Sequence, residues 1–203
     1  MFHLSMFPIA AALAVPLAFA GRTGTARAAA ITFGVGVTAM FAASGLYHVI
    51  TWTPRVRSWL ARLDHAALYG LIAATYAPFG LLVLDGAWRV TILAVVWSGA
   101  CVAILLKLFW VNAPKKLSAG IALALGWAGI AAMPRIAEAI GIEGFLLVAA
   151  GGLLYSVGGV VYAIRRPNPS PRVFGYHEVF HLLVTVAVGL QYAAIAFYVL
   201  PGR

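Results

Sequence analysis

Seven stretches of this 203-residue chain stay apolar for about the thickness of a bilayer: Leu4–Ala20, Ala28–Ile50, His65–Leu84, Trp88–Trp110, Leu117–Met133, Gly144–Ile164 and Tyr176–Leu200. A helix crosses the hydrocarbon core with about 20 mostly apolar residues. Hydrocarbon cannot hydrogen-bond a stray peptide group, so runs of this kind must be helical inside it. The connecting segments carry Pro, Gly, Arg and Lys, which break helices and mark membrane borders. Composition points the same way. The chain is 64% hydrophobic and 9% charged, with a mean hydropathy of +0.98, against roughly a quarter charged in soluble domains. We expect an all-α membrane protein of seven transmembrane helices, one domain over residues 1–203, with no sizeable soluble part. No linker, low-complexity tract or repeat stands out.

Within the runs, Pro8 and Pro16 are tolerable because neighbouring helices re-satisfy freed carbonyls. Ala18-Phe19-Ala20 looks like a signal-peptidase site, but no Lys or Arg precedes the apolar stretch, so the first run is expected to stay. Gly151, Gly152, Gly158 and Gly159 should permit close helix packing. The single cysteine, Cys101, has no internal disulfide partner and reads as a small buried hydrophobe.

The formal charge of +9 does not point to nucleic acid, because the basic residues stand at the ends of apolar runs. In and beside the second, fourth and sixth loops lie Arg55, Arg57, Arg62, Lys107, Lys115, Lys116, Arg165, Arg166 and Arg172. The other side has Arg22, Arg27, Arg89, Arg135 and Arg203, together with Asp85, Glu138 and Glu143. The richer side is cytoplasmic. With seven spans, the N-terminus is inside and the C-terminus outside.

Ionisable groups at membrane depth are costly and mark function. Ser44 and His48 stand four apart near the end of the second run, in SGLYH. Asp64 and His65 open the third, in RLDHAALY. His177, Glu178 and His181 open the seventh, in GYHEVFHLLV. All fall on the side that the charge rule, which used none of them, makes cytoplasmic. His177 and His181 share one helical face, about 6 Å apart along the axis. With His48 they can offer three imidazoles to one ion and leave a fourth position for water, the pattern of a catalytic zinc. Zinc lowers the pKa of that water to about 7. Asp64 is the best placed carboxylate to take its proton, although it also suits the N-cap of the third helix. Ser44, one turn deeper than His48, could support a ligand or donate a hydrogen bond to substrate. His65 points about 100° away from Asp64 and reads as a helix-start or supporting residue. His3 reads as interfacial or supporting, outside the ligand set.

His177-Glu178-Val179-Phe180-His181 also matches the H-E-x-x-H of zinc proteases, where the glutamate is the base. No His, Asp or Glu follows His181, so that reading lacks its downstream ligand. Glu178 is then better placed at the rim, where an acid favours a helix N-terminus.

SGLYH, RLDHAALYGLIAATYAP and FGYHEVFHLL, in that order across seven spans, resemble the hemolysin III family, which sits within the progestin and adiponectin receptor group. GWAG, GGLLYSVGGVVYA and RPNPSPRVFGYHE resemble its bacterial members. The resemblance covers nearly the whole chain. It implies a multi-pass protein of the bacterial cell membrane with a zinc ion near the cytoplasmic face. His48, His177 and His181 would be the ligands, Asp64 the acid on the zinc water, and Ser44 the adjacent serine. Eukaryotic relatives are associated with hydrolysis of lipid amides such as ceramide, and bacterial members with haemolysis or membrane homeostasis. There are departures. The family usually has an acidic, Asn-containing segment before its first histidine, whereas this chain begins near His3. Its G-T-Y-T-P motif reads Ala74-Thr75-Tyr76-Ala77-Pro78 here. Gln191, toward the far leaflet, stands where many bacterial members have histidine.

Two functions compete. One is a membrane zinc hydrolase that takes a lipid amide or ester sideways from the bilayer. The other is a non-enzymatic haemolysin-type or homeostatic protein with zinc as a structural pin. The mid-span positions are nearly all apolar, which opposes a wide aqueous pore. A protein-ligand receptor ranks last, because no soluble domain or long outer loop is present.

Overall fold

A computed structural model describes residues 2–171 and 173–201, with side chains from Ser5 onward. The described residues form seven α-helices: α1 (Phe2–Ala20), α2 (Gly24–Val49), α3 (Pro54–Leu82), α4 (Gly86–Phe109), α5 (Lys115–Gly126), α6 (Met133–Ile164) and α7 (Tyr176–Ala194). A 3₁₀ turn, Ile130–Ala132, precedes α6, and a π-helical turn, Ile195–Val199, extends α7. Five segments are long and apolar enough to cross a membrane: Gly24–Val49, Pro54–Leu82, Gly86–Phe109, Lys115–Ile164 and Tyr176–Val199. The described apolar part of α1 is Ser5–Ala20.

Successive helices pack side by side, α1 on α2, α2 on α3, α3 on α4 and α6 on α7. The Tyr192 hydroxyl donates to the Leu13 carbonyl at 3.1 Å and ties α7 back to α1. Phe33, Tyr69, Leu71, Val96, Val184 and Ile195 are fully enclosed between helices. Val35, Val90, Val102, Leu153 and Phe197 face outward. That is the pattern of a bundle whose outer surface meets lipid rather than water.

Several expected boundaries move. The third helix begins at Pro54, not near His65. Thr53 precedes it and proline takes the first turn, where its missing N–H costs nothing. Asp64 and His65 therefore sit three turns inside α3, and Asp64 is not its N-cap. The fifth run, expected to be helical to Met133, stops at Gly126. Here a side chain from α3 replaces helix bonds: Tyr76 donates its hydroxyl to the Gly126 carbonyl at 2.6 Å and accepts from the Gly129 amide at 3.2 Å. Residues 133–140 instead form a first segment of α6. It breaks at Gly141, whose φ of 73° and ψ of 171° suit only glycine. From Lys115 to Ile164 there are 50 residues, about 75 Å of helix if straight. The chain doubles back instead. Leu123 lies against Gly159, and the Trp127 indole donates to Ser156 at 2.9 Å, so α5 runs antiparallel to the end of α6.

Two smaller expectations are corrected. Cys101 is exposed on the outer face of α4, where a thiol is a small lipid-facing group. A Cβ on Gly151, Gly158 or Gly159 would touch a neighbouring helix, as expected of packing glycines. At Gly152 nothing lies within 4 Å, because it faces a cavity.

Candidate metal centre

The end of α2, the first third of α3 and the start of α7 meet at one end of the bundle. His48 is in the last turn of α2, and the Trp52 indole closes that helix by donating to the Leu46 carbonyl at 2.8 Å. On α7, His177 and His181 share a face as their spacing requires. Their helix is held at its start from three directions. Asn168 Oδ1 accepts from the Tyr176 amide at 3.1 Å, Glu178 Oε2 accepts from the Gly175 amide at 2.9 Å, and Lys115 Nζ donates to Tyr176 Oη at 2.6 Å.

The three imidazoles converge. Ring centroids are 4.3 Å apart for His177–His181, 4.7 Å for His48–His177 and 5.1 Å for His48–His181. Each ring offers one nitrogen such that all three lie within 4.8 Å of one another, and the His48 and His177 Nε2 atoms are 3.1 Å apart. A tetrahedral zinc with Zn–N near 2.0–2.1 Å separates its ligand nitrogens by about 3.3 Å. The donor set and its spacing therefore fit a metal ion such as zinc after small ring rotations. His181 is 9% exposed while His48 faces the opening, so the cluster bridges the interior and the surface.

Ser44 is 1% exposed and its side chain hydrogen-bonds that of Asp64. Both line the same cavity as the three histidines. α3 is fixed around them. Arg62 Nε donates to the Leu108 carbonyl of α4 at 2.9 Å, and the Tyr69 hydroxyl donates to the Ser118 carbonyl of α5 at 3.1 Å. His65 also lines the cavity, with Nδ1 2.7 Å from the Ala61 carbonyl, and stands outside the histidine cluster. The side chain of His3 lies outside the described residues. Glu178 is turned back to cap its own helix, which removes it from the position a protease base would need.

The cavity encloses about 540 Å³. Spacing arguments did not anticipate its other polar residues, Lys107, Lys115, Tyr162 and Arg165. Lys107 carries a signal in the sequence: it is an ionisable side chain inside an apolar run, where charge is costly, although its place near the end of the run also fits a border charge. A second cavity of about 330 Å³ continues inward between α3, α5, α6 and α7. The two share Leu68, Ala122, Gly159, Phe180 and Val184 in their walls. The inner one is nearly all apolar. Among the described residues, Tyr155 Oη and Gln191 Oε1 are buried in its wall without a hydrogen-bond partner, although Gln191 Nε2 donates to the Val148 carbonyl at 3.2 Å.

An all-helical, multi-pass membrane protein with a histidine-lined polar cavity at one end of its bundle is the class these features define. The model of the haemolysin-III related family matches residues 1–192, and the chain belongs to that family. It is 35% identical over 192 residues to hemolysin-3 of Bacillus cereus, covering 94% of this chain and 84% of the relative. The hemolysin-3 homolog of Bacillus subtilis is 34% identical over 166 residues, covering 82% and 75%. The human monocyte to macrophage differentiation factor is a more distant relative, 25% identical over 179 residues, covering 82% and 68%.

Proposed function

We propose that this protein is a zinc-dependent membrane hydrolase of lipid amide or ester bonds. The observation that carries the reading is the convergence of three imidazoles from α2 and α7 beside a serine-held carboxylate, in a polar cavity that adjoins an apolar one. His48, His177 and His181 would hold the ion. When bound, zinc supplies Lewis-acid chemistry, acidifying water and polarising a carbonyl. Asp64 would orient the attacking water and take its proton. Ser44 holds the Asp64 carboxyl in position, and such charge-assisted bonds are the stronger kind. The inner cavity supplies an apolar wall for a chain, while the polar cavity receives the scissile group. Tyr162, with its ring centroid 6.0 Å from that of His177, helps to wall the site from the α6 side.

In this reading the chain is a single domain crossing a bacterial cell membrane seven times, with its N-terminus and the histidine centre on the cytoplasmic side. Support comes from the loop charges and from the antiparallel course of α5 and the end of α6, which agrees with two passes for that segment.

A second reading is favoured by the relatives' name, hemolysin-3: a lytic or homeostatic membrane protein in which the ion is a structural pin. Metal content and turnover separate the two. Purified in detergent without chelator, the protein should carry about one zinc per chain by mass spectrometry, or take it up on addition. It should release fatty acid from an N-acyl lipid, lose that activity to chelator and regain it with zinc. If it takes up no zinc, the hydrolase is sunk. Leakage of dye from vesicles together with zinc binding but no turnover would favour the pin.

A further inference from the structure

We propose that the polar cavity carries an anion-binding subsite, built by Lys107, Lys115 and Arg165, that takes a phosphate group. Cations at a membrane border ordinarily reach outward to water and phosphate headgroups. Lys107 does not. It is 1% exposed in the last turn of α4 and lines the cavity. Its ammonium has three N–H donors, yet among the described residues its hydrogen bonding amounts to one long contact, 3.5 Å, with the Val111 carbonyl. A buried charge so poorly satisfied is costly unless an opposite charge joins it.

Two further cations share the walls. Lys115 Nζ is held by Tyr176 Oη and lies 4.8 Å and 4.9 Å from the ring centroids of Tyr162 and Tyr176, contacts that fix the charge without cancelling it. Arg165 closes α6 at φ 58° and ψ 36°, a left-handed conformation uncommon for a long side chain, and stands at the rim. His65 lines the same cavity as Lys107 and Lys115. Against the three cations, Asp64 is the one carboxylate in the lining, and it is engaged by Ser44. The first turn of α5 adds to the field. No side chain caps it at Pro114, and its positive end begins in the cavity wall. Two ammonium groups and a guanidinium around one enclosed space suit the several oxygens of a phosphate.

A phosphate here could be the head of a membrane lipid or a free anion. Binding needs neither the metal nor turnover, so it goes beyond the hydrolase reading and is measured apart from it. The test uses the full chain in a non-ionic detergent, with dodecyl phosphate, dodecanol and inorganic phosphate as probes and native mass spectrometry as readout. Dodecyl phosphate should bind at least about tenfold tighter than dodecanol. Lys107→Met should weaken it about tenfold or more, Lys115→Gln about threefold to tenfold, and Lys107→Arg less than about threefold. Dodecanol binding should not change in any of them, nor metal content in the two Lys107 variants. If inorganic phosphate displaces dodecyl phosphate at comparable concentration, the ligand is a free anion; if it does not, the site reads a lipid head. Either result supports the subsite. Equal binding of dodecyl phosphate and dodecanol overturns it, as does wild-type affinity in both Lys107→Met and Lys115→Gln. Should Lys107→Met fail to fold, the double variant Lys115→Gln with Arg165→Gln at the rim decides by the same comparison.

Discussion

The two cavities share five wall residues yet differ completely in what they can do. The polar one gathers His48, His177, His181, Asp64, Ser44 and Lys107 into about 540 Å³. The inner one, about 330 Å³, is lined mostly by apolar side chains, with Thr75, Tyr76, Tyr155, Ser156 and Gln191 among its polar residues. Most of the polar cavity's ionisable groups lie near helix ends, while Asp64 sits three turns inside α3. The apolar space lies between the middle of α3, α6 and α7 and the end of α5. Charge near the interface is cheaper than charge at the bilayer centre, so polar and apolar linings separate into two cavities. In the proposed function the ligand is likewise two-part, with a polar group at one end and an apolar chain beyond.

That division can be broken at its polar end first. His181→Ala removes the most buried imidazole, and metal content should fall from about one ion per chain to background, with any hydrolysis lost. Retention of the metal would remove His181 from the ligand set. Asp64→Asn tests the next element. It should keep the metal and lower turnover by about 10²–10⁴, the range for a general base. A variant that folds, binds metal and turns over like wild type would leave Asp64 a packing residue and remove it as the base.

The apolar end is probed by filling it. Gly152 has open space where a Cβ would stand, so Gly152→Leu should fit without displacing a helix. KM for a long-chain substrate should rise about tenfold, because each methylene denied a hydrophobic pocket is worth about 1–3 kcal/mol. A short-chain substrate should be unaffected, and an equal rise for both would separate the inner cavity from substrate binding. Glu178→Gln should leave turnover within about threefold and cost under about 1 kcal/mol through the weakened cap on α7; a hundredfold loss would restore the protease-like role. The smallest effect is expected from Tyr155→Phe. Deleting a buried hydroxyl without a protein partner should be neutral or stabilise by about 1 kcal/mol in a thermal melt. A clear destabilisation would show that a water or a bound group satisfies it.

Much of this was legible in the residues, for reasons that differ from element to element. The helical character follows from the apolar runs, because hydrocarbon allows no unpaired backbone. The helical pairing of His177 and His181 follows from a spacing of four. The meeting of His48 with them was inferred from a shared membrane side, and the fold brings all three nitrogens within 4.8 Å. Other features were not legible. That α3 extends back to Pro54 depends on an interfacial turn that hydropathy scores as loop. That α5 stops at Gly126 depends on the Tyr76 hydroxyl, fifty residues away in sequence. The outward-facing Cys101 and the cavity-facing Gly152 show the same limit. In a chain apolar on all faces, periodicity does not tell lipid from neighbour.

By itself, then, the sequence determined that this chain is a helical membrane protein with its ionisable residues kept mostly to the ends of apolar runs, because backbone hydrogen bonding and the cost of charge in lipid act locally and leave few choices. Only the tertiary structure decided which groups share a space: Asp64 with Ser44, Lys107 with Lys115, the polar cavity with the apolar one. Those pairings are set by how side chains fill the gaps between helices, a long-range matter that no spacing along one helix encodes.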